Sequence, residues 1–272
     1  MAKQLCIFQA NCQIDSLIRL LCLDSQFTSR YELRRYTNFL RESVPANELA
    51  SCAFFFYQHL GDKWEQLSSS TLLKRLNPKA RAIKIPNMFF KGYWPFWTNH
   101  SPSEHGDLFL DQLINMNLNK SEIMHICLHG NLEKKFDIPA IFEKSIMLER
   151  EKEKGALIGT VDWILENFRD RPLFYTINHP GMELLAKLCE AVYHELELVV
   201  PRNLPEIIPN LYPDFNLPIH PQVAKIHGLK FADEHTRYSI FGKQKTYAEY
   251  ASNYVDSQLL NITPLSAYLH IV

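Results

Sequence analysis

The stretch Cys6-Ile7-Phe8-Gln9-Ala10-Asn11-Cys12-Gln13 decides the fold. Four apolar or β-prone residues lead into the small Ala10, and Asn-Cys-Gln follows. Directly after it Ile14, Leu17, Ile18 and Leu21 recur at i, i+3, i+4 and i+7, the spacing of one helix face. A strand therefore hands over to a helix at Asn11-Cys12. Asn11 is suited to cap that helix, because its side-chain carbonyl can accept a free N–H of the first turn. Cys12 then stands at the positive end of a helix, where a thiol is more readily ionised. Taken alone, the same cysteine reads equally as a small buried hydrophobe.

Outward from this junction, strands and helices alternate. Arg30 to Tyr36 has period two and reads as a strand at a sheet edge, and Glu42 to Ala50 as a short polar helix or loop. Ser51 to Tyr57 is a continuous apolar run, as a central parallel strand requires, and it ends in Gln58-His59. Ser68 to Leu76 reads as a helix with Pro78 beyond its end. Arg81 to Ile85 reads as the fourth strand, stopped by Pro86. An aromatic loop follows from Asn87 to Pro102. From about 104 to 170 the pattern becomes a helical insertion, in which Glu122 to Leu128 fits a helix capped by Ser121 or a strand. Pro172 to Ile177 reads as a fifth strand, ending in Asn178-His179-Pro180, and a helix striped by Leu185, Leu188, Cys189, Val192 and Leu196 comes next. The proline-rich segment from Val200 to Pro221 is expected to wrap the surface, ahead of an amphipathic helix over about Thr246 to Leu259. The expectation is a single three-layer α/β domain over 1–272, with about five mostly parallel strands joined by right-handed crossovers. A C-terminal wrap and helix occupy about 200–272.

Composition narrows the function. The 272 residues carry a net charge of −1, which gives no electrostatic case for nucleic acid. No apolar window approaches the ~18 residues of a membrane span. The N-terminus lacks a signal-peptide pattern. The six cysteines form no C-x-x-C pair, so neither a zinc site nor a disulfide framework is suggested, and a reducing cytoplasm fits best. His125 and His129 stand at i and i+4 without a third ligand at a recognisable spacing, so no metal is expected. Walker, dinucleotide and G-x-S-x-G signatures are absent.

In open parallel sheets, ligands bind at the carboxyl ends of the strands. Three strand ends carry polar groups: Asn11-Cys12-Gln13, Tyr57-Gln58-His59 and Asn178-His179-Pro180. Cys12 and His179 suit a nucleophile and its base. Pro180 holds His179 out of the helical region, which favours projection of the imidazole from the strand end. Asn11, Gln13, Gln58 and Asn178 are candidate supports, able to cap, to position or to donate to an oxyanion. Lys91, Tyr93 and Trp94 suit a phosphate and an adenine, although an aromatic loop equally suits a packed lid. Tyr57, Arg150 and His220 complete the candidate ligand contacts, and the charge run around Arg150 also fits a plain solvated face.

Asn11-Cys12-Gln13, Tyr57-Gln58, Pro86 with Gly92-Tyr93-Trp94-Pro95, Leu148-Glu149-Arg150-Glu151 and Leu173 to Pro180 occur in that order. In this the chain resembles the WcbI-like family of acetyltransferases of capsular polysaccharide biosynthesis, from about residue 5 to about 255. Ala10 stands where the family has glycine. The resemblance implies an α/β fold related to the SGNH hydrolases, with a flavodoxin-like strand order. It also implies coenzyme A binding, with acetyl-CoA as a substrate, and a Cys–His dyad that maps to Cys12 and His179. The expected reaction is transfer of an acetyl group to a sugar hydroxyl, with acyl-CoA and a saccharide acceptor as partners. Ester or thioester hydrolysis, and non-catalytic binding of coenzyme A or glycan, are the competing readings.

Overall fold

The computed structural model of the chain describes residues 2–99, 105–211 and 213–272. The end of the aromatic loop (100–102), the expected onset of the helical insertion at 104, and residue 212 of the proline-rich segment lie outside the described residues. The chain divides into two compact units. The first comprises Met1–Met88, Glu149–Ile164 and Pro180–Leu211; the second comprises Phe89–Leu148, Leu165–His179 and Tyr212–Val272.

The first unit is built on a parallel sheet of four strands: β1 (Gln4–Ala10), β2 (Tyr31–Thr37), β3 (Phe54–Gln58) and β4 (Arg81–Ile85), in the order β2-β1-β3-β4. β2 is an edge strand, as its alternation predicts. β1 and β3 are apolar on both faces because both are central, and Cys6 to Ala10 is wholly buried. On one face Phe8 stacks on Phe56, with ring centroids 4.6 Å apart and planes 6° from parallel. Arg35, in register with Phe8, pairs with Asp15 at 2.5 Å, so the helix Asp15–Leu23 covers this face. Of the four positions expected on one face, Ile14, Leu17 and Leu21 are buried and Ile18 is half-buried. Residues of the other parity, Ile7 and Phe55, form a core with Val44, Leu49, Cys52 and Leu72. The helices Ala46–Ser51 and Ser69–Arg75 supply Leu49 and Leu72, and so cover this second face. Helix, sheet and helix thus form three layers in this unit.

The second unit packs helices around an aromatic core. Phe90 stacks on Phe174 (5.5 Å, 17°) and meets Tyr93 edge-on at 4.8 Å. Gly92 permits this packing: a Cβ there would lie 2.4 Å from Phe90 Cζ and 2.8 Å from a Phe142 ring atom. The helix Lys120–His129 settles the ambiguous run in favour of helix. Its cap is Asn119 in place of Ser121, in a reciprocal capping box with Glu122. The hairpin Tyr238–Ile240/Lys243–Lys245 turns through Phe241 and Gly242, both with positive φ.

Two expectations need correction. Phe174–Thr176, read as a fifth strand of the main sheet, lies in a separate two-stranded sheet with His179–Pro180. The turn at 177–178 folds the chain back on itself, and the remaining backbone groups are met elsewhere. Leu217 N–H donates to Tyr175 O, and Phe90 N–H donates to Ile177 O. The proline-rich segment does not simply wrap the surface. Within it Leu217, Ile219 and His220 are buried, and Leu204–Ile207 is a short helix.

Candidate active site

Each strand of the main sheet carries a polar residue at its carboxyl end or within three residues beyond it, and these are joined. Gln58, at the end of β3, is wholly buried. Its Oε1 accepts from the backbone N–H of Asn11 (2.8 Å) and from Asn38 Nδ2 (3.5 Å). Its Nε2 donates to Gln13 Oε1 and to Pro86 O, each at 3.2 Å. Gln13 Nε2 donates to Met88 O (2.7 Å), and Met88 N–H returns a bond to Gln13 Oε1 (3.0 Å). Asn11 Nδ2 donates to Asn87 Oδ1 at 3.2 Å. A buried polar network of this kind is stabilising only when its members are satisfied, and then it fixes geometry.

Cys12 is held by this network. It opens the single 3-10 turn Cys12–Ile14, which Asn11 caps by accepting Gln13 N–H at 3.0 Å, and the helix Asp15–Leu23 continues from it. Cys12 is half-buried, whereas Cys6, Cys52, Cys127 and Cys189 are buried thiols whose ionisation is pushed up by desolvation. Asn11 therefore caps, as expected. Both amide hydrogens of Gln58 are spent within the network, so its side chain positions the turn and has no donor left for an oxyanion. Asn38 and Asn87 escaped the sequence reading, although each is the polar residue just beyond a strand.

The sheet order puts the switch point of the fold here, the place at which open α/β sheets bind ligands. β1 exits toward the helix on the Phe8 face. β3 exits toward the Ile7 face, where Leu67 O accepts from Gln9 Nε2 at 3.3 Å. Chains that leave adjacent strands on opposite faces open a gap at the carboxyl end of the sheet. The Cys12 turn forms one side of it.

In the second unit His179 Nδ1 lies 2.8 Å from Thr176 Oγ1, and the Thr176 hydroxyl is 3.3 Å from Asn178 Oδ1. When Thr176 gives its one hydrogen to Asn178, it must accept from His179 Nδ1–H, and the basic lone pair is then on Nε2. Burial first, and the neighbouring His105 imidazole second, lower the pKa of His179 from 6.5 to about 4. The imidazole is thus neutral at neutral pH. His105, stacked on Phe215 at 4.6 Å, was not singled out in the sequence, where it stands at the start of the expected helical insertion.

The remaining candidates fall outside these clusters. Tyr57 points to the opposite face from Gln58, stacks on Phe55 at 5.5 Å and packs against the Ile7 core. Tyr93 is wholly buried, and its hydroxyl meets the carbonyls of Phe168 (2.8 Å) and Arg171 (3.1 Å) and the N–H of Leu173 (3.3 Å). Trp94 Nε1 donates to Leu217 O and Pro218 O, each at 3.1 Å. Lys91 Nζ donates to Trp97 O at 3.1 Å. His220 is a buried N-cap: its Nδ1 accepts from Gln222 N–H (3.1 Å), and its Nε2 lies 3.0 Å from Cys127 O. Arg150 is exposed and pairs with Asp162 at 2.6 Å. Tyr93, Trp94 and His220 are therefore internal anchors. Among the described residues, no three His, Cys, Asp or Glu side chains are grouped to hold a metal ion, and no helix is long and apolar enough to cross a membrane.

Comparison with known proteins places this geometry in context. A search of curated proteins gives no match. A solved structure of WcbI aligns over 99% of both chains with a TM-score of 0.71 and 18% identity, a likeness of fold. That structure is described as WcbI, a novel polysaccharide biosynthesis enzyme, in its native form without a disulfide bond between coenzyme A and one of its cysteines. The family model for the polysaccharide biosynthesis enzyme WcbI matches residues 5–200, most of the chain and all of the main sheet. The chain belongs to the WcbI family of polysaccharide biosynthesis enzymes.

Proposed function

We propose that this protein is a coenzyme A-dependent acyltransferase, moving an acetyl group from acetyl-CoA to a sugar hydroxyl in the biosynthesis of a capsular or other surface polysaccharide. The observation that carries the reading is Cys12, half-buried on the first turn beyond β1 and fixed there by the Asn11–Gln13–Gln58 network. The solved WcbI structure is described as the form without a disulfide bond between coenzyme A and one of its cysteines, and the mention of that bond supports a thiol close to the coenzyme in this family.

In this mechanism His179 takes the Cys12 proton, and the thiolate attacks the acetyl carbonyl. The carbon–sulfur bond to coenzyme A breaks, and the departing sulfur recovers the proton from His179. The sugar hydroxyl then gives its proton to His179 as its oxygen attacks the acyl-cysteine; the carbon–sulfur bond to Cys12 breaks, and the Cys12 sulfur recovers the proton from His179. His179 is neutral at neutral pH and so is free to accept a proton from the thiol or the sugar hydroxyl. Asn11, Gln13 and Gln58 hold the turn, and Thr176 with Asn178 sets the imidazole tautomer.

The test is single-turnover mixing with acetyl-CoA followed by intact-mass measurement. One added acetyl group on the wild type, absent from Cys12→Ala and slowed in His179→Ala, is expected. Full acetyl transfer by Cys12→Ala would overturn the covalent route. The absence of any thermal shift with saturating coenzyme A would overturn the donor assignment, since a ligand of the native state must stabilise it.

A further inference from the structure

The switch point at the end of β1 has a wall that the proposed chemistry does not use. β2 and β3 are the two neighbours of β1, roughly 10 Å apart. The loops leaving them are both tied to β1: Asn38 N–H donates to Ala10 O (3.1 Å), and Gln9 Nε2 donates to Leu67 O. They meet each other through Arg41, whose guanidinium lies 5.2 Å from the ring of Trp64. The contact therefore joins the two loops that flank β1, each of them bonded to the last residues of that strand.

Three features of this wall fit a ligand surface better than a packed loop. Trp64 is only half-buried, and Phe39, on the turn that carries Arg41, is 56% exposed. Glu65, next to Trp64, holds φ 53° and ψ −113°, and Arg41 holds φ 55°. Left-handed backbone at non-glycine residues costs about 1–3 kcal/mol each and gathers at ligand sites. The charges leave no positive excess: Arg41 and Lys63 stand with Glu42, Asp62 and Glu65. A wall without a positive excess is a poor seat for the phosphates of coenzyme A. An indole held by a guanidinium, with a carboxylate alongside, instead suits a neutral polyhydroxyl ring, which offers a flat C–H face and hydroxyl donors.

We propose that Trp64, fixed by Arg41, is the platform on which the saccharide acceptor stacks, and that Glu65 accepts hydrogen bonds from its hydroxyls. The assignment rests on the acyltransferase reading for its purpose, but its binding test does not.

Saturation-transfer NMR with the methyl glycosides of glucose, galactose, mannose and N-acetylglucosamine probes the platform, with the coenzyme A thermal shift measured in parallel. At least one glycoside is expected to receive saturation from the wild type. Trp64→Ala should weaken that glycoside about tenfold, as removal of an aromatic anchor does, while Trp64→Phe restores part of the loss. Both should retain the full coenzyme A shift. Glu65→Gly relieves the backbone strain, so its melting temperature should rise while glycoside binding falls, a combination that misfolding cannot produce. Saturation of no glycoside by the wild type, unchanged binding in Trp64→Ala, or loss of the coenzyme A shift in Trp64→Ala would each overturn the platform. Failure of the acyltransferase reading looks different: the wild type would bind glycoside yet show neither a coenzyme A shift nor acetylation of Cys12.

Discussion

Replacing Gln58 by leucine tests whether the amide network holds the Cys12 turn. Leucine is close in volume, so the cavity term is small and the loss is almost entirely polar. Four hydrogen bonds disappear. Gln13 Oε1 keeps its bond from Met88 N–H, and the 3.5 Å bond from Asn38 Nδ2 is too long to count for much, but Asn11 N–H and Pro86 O lose the Gln58 partner. Each orphaned buried group costs about 1–3 kcal/mol, so Gln58→Leu should destabilise by about 2–6 kcal/mol. That is a large fraction of the ~5–15 kcal/mol typical of a whole domain. Urea unfolding gives the total, and native-state hydrogen exchange at the Asn11 amide gives the local effect. Gln58→Glu sharpens the test. Its carboxylate still accepts from Asn11 but faces two acceptors where the amide donated. The variant should therefore be worse than leucine at neutral pH and recover as falling pH protonates it. A loss below about 1 kcal/mol with undiminished Asn11 protection would refute the argument, because buried donors without partners cannot be that cheap.

Three further outcomes follow from the geometry. If His179 is the base, it must be neutral to act. With its pKa lowered from 6.5 to about 4, the acid limb of kcat/KM for acetyl-CoA should lie near pH 4, and His105→Phe should move it upward by removing a like charge; a limb at 6.5 contradicts the burial of His179. Tyr93→Phe should cost about 1–3 kcal/mol in urea unfolding, since the carbonyls of Phe168 and Arg171 lose their donor, yet leave the coenzyme A thermal shift unchanged. His227 and His220 are likewise neutral imidazoles lowered to about 4, chiefly by burial. Their contribution is whole above pH 6.5 and is lost as pH falls through about 4, so the melting temperature should drop over that window, less steeply in His227→Gln.

The main sheet was legible because its signals are local. Period two marks β2, and unbroken apolar runs mark β1 and β3. Pro86 stops β4 directly after its last residue, Ile85. Leu173 to Ile177 has the same composition as a central strand yet pairs outside the main sheet, since composition fixes strand conformation and not the partner. The aromatic loop was ambiguous for a related reason. A Tyr hydroxyl or Trp N–H at a ligand site and one anchored inside look alike until the carbonyls that receive them are known. For Tyr93 and Trp94 those carbonyls lie 75 to 124 residues away along the chain.

The site itself was half legible, and the missing half follows from a rule applied too narrowly. Polar residues at strand ends identified Asn11, Gln13 and Gln58. Asn38 after β2 and Asn87 after β4 satisfy the same criterion and join the same network. A sheet of four parallel strands releases four chain ends at one edge, and a polar side chain at each can meet the others there. Such a group is expensive to bury alone and cheap to bury in company. Four polar strand ends in one sequence therefore point to a shared network, and the thiol among them occupies a position that the whole edge of the sheet determines.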